Sequence, residues 1–483
     1  MDLSLSSRRS RARANRPFLI GFSIGILYFA YTFAWLWSLH PLSTLGINNT
    51  AASFVLIFVG YAGSIIVSSL PWGIVGILIP RVFSKNIPLK SLTVAGLVTT
   101  SEFIRAWLFG LFLWGSGSVP GPYWPFGHIA YVLDGLPILP DTAAVWGIYG
   151  ILFMLVWLVS LIFEFFEKKN IAAVSTAWGA QLSVLACAVL LAAVIQFPGT
   201  EGSSIPVAVL QTNRSSADQT PAERLADFQQ QLQMLTDAAR VAAEPMIIIF
   251  PEGAGFNSAL TSFLTPSAVP EFYQKLSEHE LLVVDSIKVR TETTISKSLV
   301  VSSRNGVVGS VDKQVLSPGG EFIPQVAKLI NTVLRADSSR ITPLVPGKSA
   351  AVQYQGFTFS IALCSEILSP HILRSQQPDA IFGSGNLALF HGNPQLDGQM
   401  RRAAAMRARE HQKYVVWASN AGTSYIINPE GDTVAQAPRL QSQILTGTIV
   451  PNTGRTWYTK AGDWPIFVLS FAISLWSFRK RTA

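Results

Sequence analysis

The chain has 483 residues, of which 49% are hydrophobic and only 13% are charged. Soluble domains carry about one quarter charged residues, so this composition argues against a purely soluble protein and excludes intrinsic disorder. Two cysteines are too few for a disulfide-stabilised scaffold. Six scattered histidines, without a His-Glu-x-x-His or Cys-x-x-Cys motif, argue against a metal centre, and we expect no cofactor.

The net charge of +8 comes from the two ends of the chain. Five arginines precede the first apolar stretch, and three basic residues close the chain. When these eight are set aside, the remaining 28 basic residues balance the 28 acidic ones. This distribution indicates membrane topology rather than nucleic-acid binding. The eight residues are Arg8, Arg9, Arg11, Arg13, Arg16, Arg479, Lys480 and Arg481.

Six apolar stretches are candidates for membrane spans, which need about 20 residues each. The second contains Pro71, which leaves open whether it crosses once or is broken in two. With one crossing and a cytoplasmic N-terminus, all basic clusters fall on the cytoplasmic side, in agreement with the positive-inside rule. We therefore expect six spans with both termini in the cytoplasm. The stretches are roughly 18–39, 52–80, 92–114, 143–163, 172–197 and the shorter 464–478, and the interior basic residues are Arg81, Lys85, Lys90, Lys168 and Lys169.

Composition divides the chain into four parts. Residues 1–17 form a basic cytoplasmic segment, 18–199 a bundle of about five spans, and 461–483 the last span with a basic tail. Residues 200–460 contain no spanning run and are expected to fold as one extracytoplasmic domain. Short apolar strands with helices between them predict a layered α/β fold. The predicted strands are 205–210, 246–250, 281–284, 298–301, 357–363, 414–418, 424–427 and 444–450, and the predicted helices are 221–243, 270–280 and 398–412.

Three reactive side chains of this domain follow apolar segments, and strand ends are where α/β folds place their chemistry. Glu252 follows the second predicted strand, Lys313 precedes a Pro-Gly-Gly-Glu motif that ends at Glu321, and Cys364 directly follows a strand. Cys364 is also the only cysteine outside the predicted spans. Together they form a workable acyl-transfer set: the carboxylate takes the thiol proton, the thiolate attacks a carbonyl carbon, and the ammonium stabilises the oxyanion.

Each of these residues also has an ordinary structural interpretation. A lone buried cysteine such as Cys364 is usually a small hydrophobic residue. A glutamate after proline at a strand end, such as Glu252, often caps a loop or helix. A single lysine in a loop rich in glycine and proline, such as Lys313, is normally a solvated surface charge. Their joint order and sequence context favour the functional interpretation.

That order resembles the nitrilase superfamily. The pattern is Pro-Glu at Glu252, then Lys313, then Gly-Glu-Phe-Ile-Pro containing Glu321, then Cys-x-Glu at Cys364 and Glu366. Over most of its length the chain is similar to the membrane-embedded branch, the apolipoprotein N-acyltransferase family. Further matching motifs are Glu102-x-x-Arg105, Gly147-x-Tyr-Gly150, Gln211-x-Asn213, Arg407 with Glu410, and Gly462-Asp-Trp-Pro465.

The resemblance implies a role for each residue of the site. Cys364 would be the nucleophile, Glu252 its general base and Lys313 the oxyanion stabiliser. Glu321 would orient the lysine. The backbone N–H of Ser365 would be a further oxyanion donor. Glu366 would support the nucleophile.

The resemblance also implies an architecture and a reaction. The fold would be a nitrilase-type αββα sandwich on about six transmembrane helices in a bacterial inner membrane, with the sandwich in the periplasm. The enzyme would move a fatty acyl chain from a membrane phospholipid, through a thioester, to the N-terminal amine of a lipoprotein.

Two alternatives stay open, because the chain departs from the family on the substrate side. Ser365 stands where the family has an aromatic residue, Val311 replaces a tyrosine, and no tryptophan lies between Asn213 and Phe228. One alternative keeps the three reactive residues in a membrane-anchored amidase or acyltransferase with another substrate, as in plasmid conjugal transfer systems. The other is a non-catalytic membrane scaffold.

Overall fold

The computed structural model describes residues 3–83, 89–167, 175–195, 197–215, 219–291, 294–334, 343–348 and 350–479. Among the predicted topology signals, Lys85, Lys168, Lys169, Lys480 and Arg481 lie outside these ranges. The described helices are α1 (Leu3–Thr32), α2 (Thr50–Phe83), α3 (Lys90–Phe112), α4 (Ile129–Val132), α5 (Ala143–Glu167), α6 (Ser175–Val194), α7 (Pro221–Arg240), α8 (Phe256–Phe263), α9 (Val269–Leu276), α10 (Gln325–Leu334), α11 (Pro370–Gln376), α12 (Pro394–His411), α13 (Trp457–Ala461) and α14 (Trp464–Arg479).

The apolar helices agree in position with the predicted stretches. By length and composition, three of the described helical segments could cross a membrane: α2, α3 and Pro140–Phe166, which contains most of α5. Two shorter apolar helices lie within α6 and α14. α2 continues through Pro71 and Pro80, so the second stretch is one helix rather than two. The count of six spans stays a prediction.

A buried ion pair joins α2, α3 and the loop that follows α3. Glu102 and Arg105 lie one turn apart on α3, with 2.8 Å between the carboxylate and the guanidinium, and both are buried. Trp72 of α2 donates a 2.6 Å hydrogen bond to Glu102. Arg105 donates one of 2.9 Å to the carbonyl of Phe126. The two charges therefore serve the packing of the bundle.

Gly147 bends α5 where the bundle meets the end of the domain. Its φ of +62° lies in the left-handed region that favours glycine. A Cβ atom here would lie 2.3 Å from the ring of Tyr458 in α13. Because Tyr458 is fully buried against this bend, a side chain at position 147 would push the junction apart.

Two six-stranded sheets form the centre of the domain. Their orders are β12-β1-β2-β3-β4-β5 and β11-β10-β9-β8-β7-β6. Apolar side chains of both sheets share one core, α7, α8 and α9 cover the first sheet, and α11 and α12 cover the second. This is the predicted four-layered sandwich. The strands are β1 (Ile205–Gln211), β2 (Met246–Ile249), β3 (Leu281–Arg290), β4 (Ile295–Ser303), β5 (Gly306–Asp312), β6 (Val352–Tyr354), β7 (Phe357–Leu363), β8 (Ala380–Asn386), β9 (Val415–Asn420), β10 (Tyr425–Ile427), β11 (Thr433–Gln436) and β12 (Gln443–Ile449).

The sequence prediction missed the central strand β8, which contains two glycines. β8 lies between β7 and β9 and runs parallel to both. Ideal Cβ atoms on Gly383 and Gly385 would lie 2.4 Å and 2.7 Å from the indole of Trp417. The glycines therefore make room for this large ring on the neighbouring strand, and tertiary packing outweighs their low strand propensity.

The domain rests on the bundle through several polar contacts. Arg409 of α12 pairs with Asp134 at 2.6 Å. The hydroxyl of Tyr131 donates to the carbonyl of Leu368 at 2.9 Å. The backbone of Gly115 pairs with that of Pro324 as an isolated β-bridge. The loop between α3 and α5 is thus a structural part of the domain interface.

Candidate active site

The topology brings three strand ends to one edge of the sandwich. β2 and β3 are parallel, while β4 runs antiparallel between β3 and β5. The ends of β2 and β5 and the beginning of β4 therefore lie at the same edge of the first sheet. Glu252 follows β2 by three residues, Lys313 directly follows β5, and Cys364 directly follows β7 of the second sheet.

Cys364 lies at a sharp turn at the end of β7. Its φ of +52° is left-handed, a conformation that is uncommon for a residue with a side chain and that clusters at functional sites. A short 3₁₀ turn, Cys364–Leu368, begins here. Cys364 as a whole residue is partly exposed, and it lines the cavity described below.

The buried carboxylate of Glu366 holds this turn in place through hydrogen bonds to the backbone. Its carboxylate accepts hydrogen bonds from the backbone N–H groups of Leu363 at 2.9 Å, Gln314 at 2.6 Å and Val315 at 3.0 Å. Glu366 is fully buried. A single carboxylate thus connects the turn that carries Cys364 to the segment that follows Lys313.

Lys313 lies between two buried carboxylates. Its Nζ is 3.3 Å from Glu252 Oε1 and 2.9 Å from the carboxylate of Glu321. The backbone N–H of Ser317 donates to Glu321 at 2.7 Å. Lys313, Glu252 and Glu321 are 1%, 4% and 6% exposed, which contradicts the interpretation of Lys313 as a solvated surface charge.

A second lysine, which the sequence analysis did not identify, completes this cluster. Lys297 Nζ lies 2.9 Å from Glu252 Oε1 and 2.6 Å from Glu321 Oε1. The predicted strand began at Ser298, but β4 begins three residues earlier, and its register pairs Ser298 with Asp312. Lys297 therefore lies beside Lys313. The backbone N–H of Lys313 donates to the backbone carbonyl of Lys297 at 2.8 Å. A predicted strand that began at Ile295 instead of Ser298 would have included Lys297 and placed it next to Lys313.

The charges determine the protonation of the cluster. Burial raises the pKa of Glu252, but the ammonium groups of Lys297 and Lys313 outweigh burial and hold that pKa below its usual value. The same two lysines lower the pKa of Glu321 to about 2 against the effect of burial. Burial and the charge of Glu252 raise the pKa of the Cys364 thiol to about 12. At neutral pH the carboxylates are ionised and the thiol is protonated.

Ser365, whose backbone N–H is the predicted oxyanion donor, places its side chain beside the lysine cluster. Its hydroxyl is 2.9 Å from that of Ser317. Ser317 Oγ accepts a 3.2 Å hydrogen bond from Lys313 Nζ. Within the described ranges, no group of three His, Cys, Asp or Glu residues could hold a metal ion.

The charged cluster opens into one large cavity between the domain and the bundle. The cavity has a volume of about 560 Å³, and its lining includes Cys364, Glu252, Lys297, Lys313 and Glu321. The walls contributed by the bundle are mostly apolar. They include Phe33, Trp35, Leu39, Leu56, Ile57, Phe109, Phe112, Leu113, Trp124 and Phe126. A thiol that lines this cavity with a carboxylate and two ammonium groups can attack a carbonyl carbon, and the apolar walls can accommodate a hydrocarbon chain.

Replacing Glu366 by glutamine should displace the Cys364 turn. The amide would present an N–H group to at least one of the three backbone donors, which leaves a buried donor unpaired and costs about 1–3 kcal/mol. We expect a lower thermal unfolding temperature and slower alkylation or acylation of Cys364. The matched control is Glu271→Gln, because Glu271 is an exposed glutamate of α9. Equal behaviour of the two variants would contradict this structural role.

Comparisons with known proteins assign the chain to a family. The model of the carbon-nitrogen hydrolase family matches residues 206–459, more than half of the chain. The chain is 25% identical over 398 residues to a protein of Methylococcus capsulatus named apolipoprotein N-acyltransferase, covering 77% of this chain and 70% of that one. A protein of Haemophilus ducreyi with the same name is 22% identical and matches 91% of this chain and 86% of its own.

A solved structure from Xanthomonas campestris, described as a CN-hydrolase superfamily protein, covers 51% of this chain and 91% of its own, with 17% identity and a TM-score of 0.37. The family model spans the whole domain that holds Glu252, Lys313 and Cys364, from the second residue of β1 to α13. The chain therefore belongs to the carbon-nitrogen hydrolase family.

Proposed function

We propose that the protein is an acyltransferase that moves a fatty acyl chain from a membrane phospholipid, through a thioester on Cys364, to an amine. The observation that carries this proposal is the shared cavity. A thiol, a carboxylate and an ammonium line it on the domain side, and apolar side chains of the helices line it on the other. The similarity to proteins named apolipoprotein N-acyltransferase supports the N-terminal amine of a lipoprotein as the acceptor.

In the first half-reaction, Cys364 would take the acyl group. Glu252, which is ionised at neutral pH, removes the thiol proton while sulfur attacks the ester carbonyl carbon. Lys313 stabilises the oxyanion, with the backbone N–H of Ser365 as a second donor. The ester C–O bond then breaks, and Glu252 returns the proton to the departing lysophospholipid oxygen.

The second half-reaction would repeat these steps with the amine as nucleophile. The amine nitrogen attacks the thioester carbonyl carbon, and Glu252 takes a proton from that nitrogen. The C–S bond breaks, and the proton passes to the sulfur of Cys364. The products are the N-acylated acceptor and the original thiol. Glu321 holds Lys313 in position throughout.

We further propose that the chain spans a bacterial inner membrane six times and that the domain lies in the periplasm. Helix ends that face the domain support this arrangement. The carbonyl of Thr32, at the end of α1, accepts from Gln399 at 2.9 Å. That of Trp114, after α3, accepts from the backbone of Gln325 at 2.8 Å. The C-terminal ends of α1 and α3 thus both face the domain. This fits an arrangement in which α1, α2 and α3 cross the membrane in alternating directions.

Reporter fusions should reveal this topology. Fusions after residues 88, 130, 170 and 300 should report cytoplasm, periplasm, cytoplasm and periplasm, because the basic clusters favour the cytoplasmic side. Alkaline phosphatase and a cytoplasm-active fluorescent protein, fused at the same positions, provide reciprocal controls. A cytoplasmic position for residue 300 would contradict the proposal, since the site would then face the wrong compartment.

A second candidate keeps the chemistry and changes the acceptor. Ser365, which replaces an aromatic residue of the family, bonds to Ser317 beside the lysine cluster. This polar pair favours an acceptor with a hydrogen-bonding group near the thiol over one that packs a second lipid chain there. The second candidate is therefore acyl transfer to a different amine.

One assay tests the proposal and separates the two candidates. The full-length protein is incubated in phospholipid vesicles with or without a diacylglyceryl lipopeptide, and protein and peptide are analysed by intact mass. An acyl adduct on Cys364 followed by N-acylation of the lipopeptide is the expected result. An adduct without transfer would favour the second candidate. No adduct under any condition would refute the proposed function.

A further inference from the structure

Lys297 is the closer of the two ammonium groups to Glu252. Its Nζ is 2.9 Å from Glu252 Oε1, against 3.3 Å for Lys313. The Lys297 side chain also lies closest to Glu321, at 2.6 Å. It is 16% exposed, whereas that of Lys313 is fully buried. The site thus contains a second cation that bridges both carboxylates from the side of the cavity.

Charge balance indicates why two lysines are present. Glu252 and Glu321 carry two negative charges in a cavity with apolar walls, where an unpaired charge is costly. Lys313 alone would leave the cluster with one uncompensated negative charge, next to the position where an oxyanion forms. With Lys297 the four groups are neutral in the resting site. When Glu252 takes the thiol proton, the four groups together carry one positive charge, which the negative charge of the oxyanion balances.

We propose that Lys297 is a positioning residue that holds Glu252 as a carboxylate and leaves Lys313 free to turn from Glu252 to the oxyanion. The oxyanion assignment of Lys313 rests on the proposed function. The geometry of Lys297 does not depend on it, because the two contacts to the carboxylates exist without substrate. Lys297 can keep Glu321 as its partner while Glu252 is protonated.

The groups around Glu252 and the two residues that follow it come from six segments. Lys297 belongs to β4, Lys313 follows β5, Glu321 lies in the loop before α10, and Cys364 follows β7. From β3, the hydroxyl of Ser286 accepts from the N–H of Gly253 at 2.6 Å. Arg214 donates to the carbonyls of Gly253 and Ala254 at 3.2 Å and 2.8 Å.

Lys297 also acts electrostatically on the nucleophile. Its charge, with that of Lys313, opposes the rise in the pKa of Cys364 that burial and Glu252 cause. Removing the Lys297 charge should therefore raise the pKa of Glu252 and of the thiol together. Opposite charges at this range shift a carboxyl pKa by about 1–3 units, and one pKa unit changes the thiolate fraction about tenfold.

The test uses Lys297→Gln, Lys297→Met and Lys297→Arg in the full-length protein carrying Cys187→Ser, so that Cys364 is the only thiol. Two readouts are taken against pH: alkylation of Cys364 by iodoacetamide, which needs no lipid, and formation of the acyl adduct. Gln keeps a hydrogen bond without the charge, Met removes both, and Arg restores the charge. Lys288→Met is the matched control, because Lys288 is the exposed register partner of Lys297 on β3.

For Lys297→Gln we expect alkylation at neutral pH to slow about tenfold, and the acid limb of acylation to move up by about 1–3 pH units. Lys297→Arg and Lys288→Met should match the parent protein. Unchanged profiles in Lys297→Gln and Lys297→Met would overturn the inference. If alkylation responds as expected while the parent forms no acyl adduct, Lys297 keeps its electrostatic role and the proposed acyl transfer is refuted.

Discussion

Cys364→Ala should abolish formation of the acyl adduct and all transfer to the amine. The substitution removes the only atom of the site that can form the thioester, and no other described residue near it offers a thiol. Because it deletes one sulfur atom and no charge, insertion into the membrane and the thermal unfolding temperature should stay close to those of the parent. Intact mass after incubation with phospholipid vesicles provides the measurement.

Cys187→Ala is the matched control for this variant. Cys187 lies in α6 and does not line the cavity, so its removal should leave the adduct unchanged. An adduct on Cys364→Ala would mean that another residue carries the acyl group. A folded Cys364→Ala protein with full transfer activity and no adduct would leave only a mechanism without a covalent intermediate.

Glu252→Gln should reduce turnover about 10²–10⁴-fold, the range for loss of a general base. The amide keeps the shape and can still accept from Lys297, so the loss should come from the missing proton acceptor rather than from unfolding. The charge of Glu252 raises the pKa of the Cys364 thiol. Its removal should lower that pKa, so that alkylation of Cys364 becomes faster at neutral pH while acyl transfer is lost.

This opposite response distinguishes Glu252 as a base from Glu252 as a structural residue. Simple disturbance of the site would slow both alkylation and transfer. Glu280→Gln is a suitable control, because Glu280 lies in the same domain and accepts a hydrogen bond from Tyr354, away from the cavity.

The pH dependence of the parent protein should reflect the lowered pKa of Glu252. Activity should persist below the usual carboxyl pKa and should be lost as the pH falls through the lowered pKa of Glu252.

Strands with long apolar runs were predictable from the sequence. Strands whose stability depends on pairing with an adjacent strand were not. β2 is a run of four buried apolar residues, and β1 and β7 are mostly apolar and mostly buried. β8 contains the glycines that accommodate Trp417, and β11 is a four-residue strand with alternating exposure. β5 contains two glycines and exposes part of its surface. In these cases pairing with a neighbouring strand stabilises a segment whose own propensity is weak.

The residues of the candidate site that belong to recognisable sequence motifs were predictable, whereas Lys297 was not. Glu252, Lys313, Glu321 and Cys364 are more than one hundred residues apart at the extremes, so their proximity was inferred from positions after predicted strands and from the resemblance to a family. The structure brings all four to one cavity. Lys297 lies on the same face of β4 as Leu299 and Val301, which belong to the core between the sheets, but the predicted strand began at Ser298 and left Lys297 out. Its burial depends on the register between β4 and β5, which sequence periodicity alone does not specify.

The cavity that joins domain and bundle also bears on the lifetime of the proposed intermediate. Thioesters are hydrolysed by water as well as attacked by amines, so an enzyme with two successive substrates must protect the first product until the second arrives. Side chains such as Phe109, Phe112 and Trp124 would surround the acyl chain on Cys364 and leave little room for ordered water. On this mechanism, the helices do more than anchor the domain. They would slow futile loss of the acyl group, so that the protein could wait in its acylated form for a scarce acceptor.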